Sequence, residues 1–171
     1  MKTRTAAGVL IATLLLTVAP IARVAAQVAA GAGTLIVNGD VAKPLALTPA
    51  ELKTLPRAKV EVRRADGTVT VFEGVLAREL VTMAGITLAG MRGDAVSSYV
   101  VATAADGFRA VFALAELDPA LTAADVLVAD TIDGKPLPDR QGPLRLVAPA
   151  DRQGARSARM LQRLEVVRLR K

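Results

Sequence analysis

The clearest chemistry in this sequence lies in a short apolar strand near the C-terminus that carries one arginine. Residues 144–147 read Leu-Arg-Leu-Val, and a basic loop over residues 151–159 follows them. An arginine within an apolar strand is costly to desolvate unless an anion meets it. The planar guanidinium fork of Arg145 suits a phosphate or a carboxylate. The segment therefore predicts a binding site for an anionic ligand.

The basic loop supplies the other candidate ligand-binding residues, which are Arg152, Gly154, Arg156 and Ser157. The glycine in this group would let a ligand approach the backbone closely. The sequence leaves two structural alternatives open. Arg145 could instead form an ion pair with Asp151 or Asp139, and Arg156 and Arg159 would equally suit a solvated helical face.

The composition excludes several common kinds of site. The 171 residues include no cysteine and no histidine, so the usual zinc, copper, haem and iron–sulfur ligand sets are missing, as are Ser-His and Cys-His pairs. Aromatic residues make up only 2%, and no basic-aromatic patch predicts nucleic-acid binding. The acids Asp125, Asp130, Asp133 and Asp139 do not have the spacing of a calcium loop, so no metal site is expected.

The first 26 residues predict a secretory signal peptide. Lys2 and Arg4 form a charged start, residues 6–19 are apolar, and small residues occupy positions 24–26. Pro20 interrupts the apolar run before the roughly 20 residues that a membrane span needs. We therefore expect a periplasmic or secreted protein with no membrane span after cleavage.

After this leader, residues 27–33 predict a flexible lead-in and residues 34–171 a single domain. Turn dipeptides between β-prone segments, such as Asp66-Gly67 and Asp106-Gly107, predict hairpins. The predicted strands cover residues 35–39, 59–63, 68–72, 99–104, 108–112, 126–129, 144–147 and 164–169. The predicted helices run from a capping box at Thr48 to near Pro56, over residues 75–84 and over residues 114–117. This pattern is typical of a β-rich α+β domain.

The order of these pieces resembles the sulfite-oxidase-like molybdopterin-binding domain family over nearly all of the mature chain. The matching motifs lie at residues 35–39, 44–52, 72–76, 106–108, 133–137 and 142–149. The resemblance implies that Arg145 and the basic loop hold the phosphate end of a molybdopterin. It also implies that Tyr99 or Arg109 faces the substrate side of a hairpin, although a lone tyrosine beside valines equally suits a core position with its hydroxyl at the rim.

The sequence departs from the catalytic members of that family at the metal ligand. Those members bind molybdenum through a cysteine that corresponds here to residues 60–64, where no thiolate is available and Glu61 offers only a carboxylate. We therefore expect an exported, non-catalytic domain that binds molybdopterin or a similar anionic ligand. The alternatives are a periplasmic molybdopterin-dependent oxidoreductase and a structural or interaction module that serves a periplasmic redox partner.

Overall fold

The computed structural model describes residues 33–123 and 125–169. The strands in this part of the chain are β1 Leu35–Gly39, β2 Leu45–Leu47, β3 Ala58–Arg63, β4 Val69–Leu76, β5 Tyr99–Ala104, β6 Arg109–Ala113, β7 Leu127–Ile132, β8 Lys135–Pro136, β9 Arg145–Val147 and β10 Leu161–Val167. The α-helices are α1 Pro49–Thr54 and α2 Ala77–Met83, and short 3-10 turns cover Gly93–Ala95, Leu114–Leu117 and Arg152–Gly154.

The strands form two five-stranded sheets. The first has the order β2-β1-β10-β5-β6, in which β1 and β10 run parallel and the other neighbours are antiparallel. The second has the order β3-β4-β7-β8. Strand β9 also pairs with β7, on the edge where β8 pairs but at the opposite end of β7. All pairings in this second sheet are antiparallel.

The main core lies between the sheets. Phe112 and Leu164 from the first sheet and Val128 and Leu146 from the second are each at most 2% exposed and belong to one apolar cluster. Helix α2 adds buried side chains such as Leu80 to the same cluster. With no disulfide available, burial of this apolar surface is the main stabilising contribution to the fold.

A second, smaller apolar cluster covers the outer face of the second sheet. Val60, Phe72, Leu127 and Val147 belong to it, and Val62 packs against it from strand β3. Because successive side chains of a strand alternate between faces, this sheet contributes one set of residues to the main core and the other set to this outer cluster. The outer face is therefore an apolar surface that can form the floor of a binding site.

The β-rich α+β, single-domain architecture predicted from the sequence is confirmed. Helix α1 begins with the predicted capping box, because Thr48 Oγ1 accepts from the backbone N–H of Glu51 and the Glu51 carboxylate accepts from the N–H of Thr48. The helix predicted over residues 75–84 is present as α2 Ala77–Met83, but its predicted start was wrong. Val75 and Leu76 instead extend β4, since they pair with Val128 and Leu127 of β7.

Other strand boundaries also differ from the predicted ones. Strand β10 starts at Leu161, three residues earlier than predicted, and the short strands β2 and β8 were not predicted at all. The predicted signal peptide and all of the lead-in except Gly33 lie outside the described residues. Among the helices that the structure describes, none is both long and apolar enough to cross a membrane.

Candidate functional site

Arg145 projects from the outer face of the second sheet. It is the first residue of β9 and stands directly opposite Ala129 of β7, another member of the outer cluster. The next residue, Leu146, is 1% exposed and packs in the main core. Because neighbouring side chains alternate along a strand, Arg145 points away from the core.

A cleft of about 770 Å³ lies over this outer face. Its apolar floor is formed by Val62, Phe72 and Val147, which come from β3, β4 and β9. Arg145 rises from the same floor. The remaining lining residues are Arg63, Arg64, Ala65, Gln141, Asp151, Arg152, Gly154, Ser157 and Arg159.

The guanidinium of Arg145 forms no ion pair with any residue that the structure describes. Its Cζ lies 5.0 Å from the ring centroid of Phe72, and its Nη1 donates to Oε1 of Gln141 at 2.5 Å. Its Nε is buried and donates to no atom of the described residues. None of the ion pairs among those residues includes Arg145, so the expected alternatives, a pair with Asp151 or with Asp139, are not formed.

The surroundings of Arg145 are electrostatically unfavourable for its charge. Burial lowers the pKa of Arg145, and the positive charges of Arg159 and Arg64 lower it further. Since an arginine keeps its proton at any physiological pH, the charge is retained and stays uncompensated. An anion in the cleft would relieve both the desolvation and the repulsion.

Further arginines surround Arg145 at the rim. Arg152 and Arg159 come from the basic loop, whereas Arg63 and Arg64 come from the end of β3 and the hairpin after it. All four are exposed, and none takes part in an ion pair with a described residue. Sequence reasoning missed Arg63 and Arg64 as binding residues, because the pairing that places β3 and β9 in one sheet, with β4 and β7 between them, is not local.

Arg156 has a different environment from the one predicted for a ligand-binding residue. Its Nε and Nη2 donate to both carboxylate oxygens of Asp151, at 2.8 and 2.7 Å, and its Nη1 donates to Glu116 at 3.0 Å. Its Cζ lies 4.5 Å from the ring centroid of Phe112, and Nη1 also reaches the carbonyl of Val111 at 3.3 Å. Arg156 is not among the residues that line the cleft. It fastens the basic loop to strand β6.

We expect Arg156→Met to destabilise the protein without removing a group that lines the cleft. The substitution breaks the bidentate pair with Asp151 and the pair with Glu116, and it leaves both carboxylates without their partner. Because the Arg156 side chain is 36% exposed, solvent screening limits the loss to about 1–2 kcal/mol. Urea denaturation of Arg156→Met beside Arg163→Met, which removes an exposed arginine of β10, checks this. Equal midpoints for the two variants would contradict it.

Two other predicted residues do line the cleft. Gly154 has a φ of +61°, a conformation that glycine adopts without strain, within the 3-10 turn Arg152–Gly154. The hydroxyl of Ser157 accepts from the N–H of Ala148 at 3.3 Å. Because the N–H of Leu146 also donates to the carbonyl of Ala158 at 2.8 Å, the loop is tied to β9 at two points. The structure thus brings Arg145, Arg152, Gly154 and Ser157 together around one cleft.

The two residues predicted for the substrate side lie elsewhere. Tyr99 begins β5 opposite Ala113, whereas Arg109 begins β6 opposite Thr103 at the other end of the same hairpin. These ends lie four residue steps of extended strand apart, which is about 13 Å. Neither side chain lines the cleft.

The acidic residues near the second sheet have structural partners. Asp130 accepts two hydrogen bonds from Arg57, at 2.6 and 2.8 Å, and Asp125 pairs with Arg78. Asp133 accepts from the N–H of Val71 at 2.9 Å. Within the described residues, no group of three or more His, Cys, Asp and Glu side chains is placed to hold a metal ion.

The cleft offers hydrogen-bond donors and few ligands for a metal. Its arginines donate, and Asp151, the only carboxylate among the described residues that line it, already accepts from Arg156 through both oxygens. Glu61, considered from the sequence as an oxygen ligand, neighbours Val62 on β3 and does not line the cleft. The residues present therefore fit the phosphate end of a pterin cofactor and do not supply a protein ligand for its metal.

Comparisons with known proteins concern the family and the fold of the chain. No curated protein matches the sequence. The sulfane dehydrogenase SoxCD from Paracoccus pantotrophus has a similar fold, with a TM-score of 0.62 and 21% sequence identity over 78% of this chain and 38% of that one. The chain thus spans well under half the length of that structure. The sequence model of the oxidoreductase molybdopterin binding domain matches residues 22–171, and the protein belongs to that family.

Proposed function

We propose that this protein binds molybdopterin, or an anionic ligand like it, in the arginine-rich cleft, and that it does so without the catalytic turnover usual for the family. The observation that carries the proposal is the guanidinium of Arg145, which lies in the cleft with a buried Nε and with no carboxylate partner among the residues that the structure describes. A half-buried cation without compensation is costly in a folded protein. A phosphate group would supply the compensation.

Different residues around the cleft would contact different parts of such a ligand. Arg145 would donate to a phosphate from the floor, and Arg159 and Arg152 from the loop. Gly154 would let the ligand approach the backbone, and the ring of Phe72 offers an apolar surface beside the guanidinium of Arg145. When bound, molybdopterin supplies a dithiolene that can carry a metal. The protein's own part is to orient the ligand and to shield one side of it from water.

The absence of turnover is inferred from the sequence at the other end of the cleft. The positions that correspond to the metal-binding cysteine of catalytic relatives are Val60 to Arg64, and the whole chain contains no cysteine. Val62, Arg63 and Arg64 line the cleft there. A thiolate stabilises a bound metal as a soft anionic ligand, and neither a valine nor an arginine can replace it.

Export is part of the proposal and depends on the sequence of the first 26 residues. Their charged start, apolar run and small residues before position 27 favour signal-peptide cleavage. Cleavage would remove three of the basic residues, so part of the formal charge of +6 belongs to the leader. We propose a periplasmic or secreted location for the mature domain.

A second candidate is a periplasmic oxidoreductase that keeps molybdenum without a thiolate from the protein. Its support is the family itself and the similarity in fold to a structure described as a dehydrogenase. Such an enzyme would need a redox partner, because the sequence has no cysteine or histidine for an iron–sulfur or haem centre. A non-catalytic role within a redox complex would need the same partner.

The test is the pterin and molybdenum content of mature protein purified from a host with an intact cofactor pathway. The proposal predicts about one pterin per protein and far less molybdenum. Near-stoichiometric molybdenum with a redox signal would instead favour the oxidoreductase. A protein that carries neither pterin nor metal would overturn molybdopterin as its ligand.

A further inference from the structure

The positive charge of the cleft exceeds what one phosphate monoester can balance. Among the described residues, five arginines line it, which are Arg63, Arg64, Arg145, Arg152 and Arg159. A phosphate monoester carries about 1.5 to 2 negative charges at neutral pH. The cleft therefore holds more than twice the charge that a single such group neutralises.

Asp151, the one carboxylate among the described residues of the cleft, reduces this excess only in part. Both oxygens of Asp151 accept from Arg156, at 2.7 and 2.8 Å. The hydrogen bonds and the charge of Arg156 hold the pKa of Asp151 below its usual range, and Arg156 lies outside the cleft lining. Arg156 also pairs with Glu116, so its single positive charge is shared by two carboxylates. Even if Asp151 is counted in full against the five arginines, four positive charges remain among the described cleft residues, at least about twice the charge of one phosphate monoester.

The arginines also converge from different elements. Arg145 stands on β9, Arg159 comes from the loop after it, and Arg64 comes from the hairpin between β3 and β4. Strands β3 and β9 are separated by β4 and β7, which places their backbones about 14 Å apart. Arg64, Arg145 and Arg159 nevertheless line the same cleft, and the positive charges of Arg64 and Arg159 both disfavour the charge of Arg145. The cleft is therefore cationic on both sides of its apolar floor.

We propose that the cleft takes a ligand with a diphosphate group, one phosphoryl unit meeting Arg145 and Arg159 and the other meeting Arg64 of the hairpin. This inference rests on the proposed function, because it specifies the ligand of the same cleft. A second phosphoryl unit adds further negative charge and reaches towards the β3 side of the cleft. A single phosphate held by Arg145 would leave Arg64 without an anionic partner. Two sources share this chemistry, namely the dinucleotide form of a pterin and a nucleoside diphosphate.

The experiment compares inorganic phosphate with inorganic pyrophosphate by calorimetric titration, at one ionic strength, on protein made in a host that lacks the pterin pathway. We expect pyrophosphate to bind at least about tenfold more tightly, because it adds charge-assisted hydrogen bonds. Arg64→Met should remove most of that preference and leave phosphate binding within about threefold of the wild type. Arg163→Met, which removes an exposed arginine outside the cleft, should change neither affinity.

Several results would overturn the inference. Equal affinities for phosphate and pyrophosphate would do so, as would an Arg64→Met variant that keeps the full preference. Citrate, a multivalent anion of different shape, should bind more weakly than pyrophosphate, and equal binding would mean that the cleft recognises charge alone. If the protein retains pterin from the cell but shows no preference for pyrophosphate, the inference of a diphosphate ligand is refuted. The proposed function would be unaffected by that result.

The same proteins distinguish the two sources of a diphosphate. Mass spectrometry of the ligand released from protein made in a cofactor-competent host identifies a pterin dinucleotide if that is the occupant. Tighter binding of ADP than of AMP by the pterin-free protein, with no pterin released, supports a nucleoside diphosphate instead. That result would support a diphosphate ligand and would contradict molybdopterin as the ligand.

Discussion

Replacing Arg145 by methionine is expected to abolish ligand retention and to leave the ligand-free protein at least as stable as the wild type. The ligand loses the one cationic group that rises from the cleft floor. Two hydrogen bonds to a charged group are together worth about 3 to 5 kcal/mol, which corresponds to a loss of a hundredfold or more in affinity. Pterin content after purification and the affinity for pyrophosphate both measure this effect.

The stability part of this prediction separates a binding role from a structural one. In the ligand-free protein the Nε of Arg145 is buried without an acceptor in the described part of the chain, and the charges of Arg64 and Arg159 disfavour its own. A methionine can keep the apolar contact with Phe72 and removes the uncompensated charge, a replacement that is often neutral or stabilising. Thermal unfolding of both proteins without ligand gives the comparison.

Arg145→Lys is the informative companion variant. It retains the charge but loses the planar fork, so binding should be intermediate and should not return to the wild-type level. A methionine variant that keeps its ligand would show that Arg145 is not in the binding site. A clear loss of stability in ligand-free Arg145→Met would assign the residue a structural role instead.

The fold was predictable from the sequence wherever the determining interactions are local. The capping box of Thr48 and Glu51 lies within one helical turn, and Asp66-Gly67 and Asp106-Gly107 bring adjacent strands together. Gly67 and Gly107 have φ values of +86° and +85°, which glycine adopts readily. Such features require no knowledge of the rest of the chain.

Predictions failed where pairing over long distances in sequence decides the structure. Val75 and Leu76 have helical spacing with the residues after them, yet strand β7, some fifty residues later, pairs with both. The same cause explains the late start predicted for β10, which is aligned by β5 and the parallel strand β1. Tertiary pairing overrides local propensity at these places.

The candidate site was predictable in part, for the same reason. Arg145 and the basic loop are close in sequence, so their joint role could be proposed from their residue types alone. The contribution of Arg64 depends on how β3 and β4 lie beside β7 and β9. The anchoring of Arg156 depends on Glu116 and Phe112, forty residues away or more. The spacing of residues along the chain predicts neither the contribution of Arg64 nor the anchoring contacts of Arg156.

The second sheet also has a position where one methyl group should prevent folding. Gly74 lies in β4 where the register against β7 shifts between Glu73 and Gly74. A Cβ added to Gly74 would lie 2.0 Å from the carbonyl oxygen of Val128 and 2.6 Å from Cα of Ala129. Both atoms belong to the backbone of the neighbouring strand, so no side-chain rotation relieves the clash.

Gly74→Ala is therefore expected to destabilise the protein by more than about 4 kcal/mol, because β4 and β7 must separate and break their ladder. Total stabilities of domains are about 5 to 15 kcal/mol, so we expect little folded protein at 37 °C. Circular dichroism and urea denaturation of the purified variant measure the loss.

Gly67→Ala is the matched control, because it places the same methyl group in the hairpin turn that leads into the same strand. No atom lies within 4 Å of a Cβ at Gly67, although its φ of +86° adds some strain. We expect a loss of only about 1 to 2 kcal/mol there. If Gly74→Ala melted within a few degrees of the wild type, β4 and β7 could not lie as close as the structure has them. The floor of the cleft, which those strands hold in place between Val62 and Val147, would then need a different arrangement.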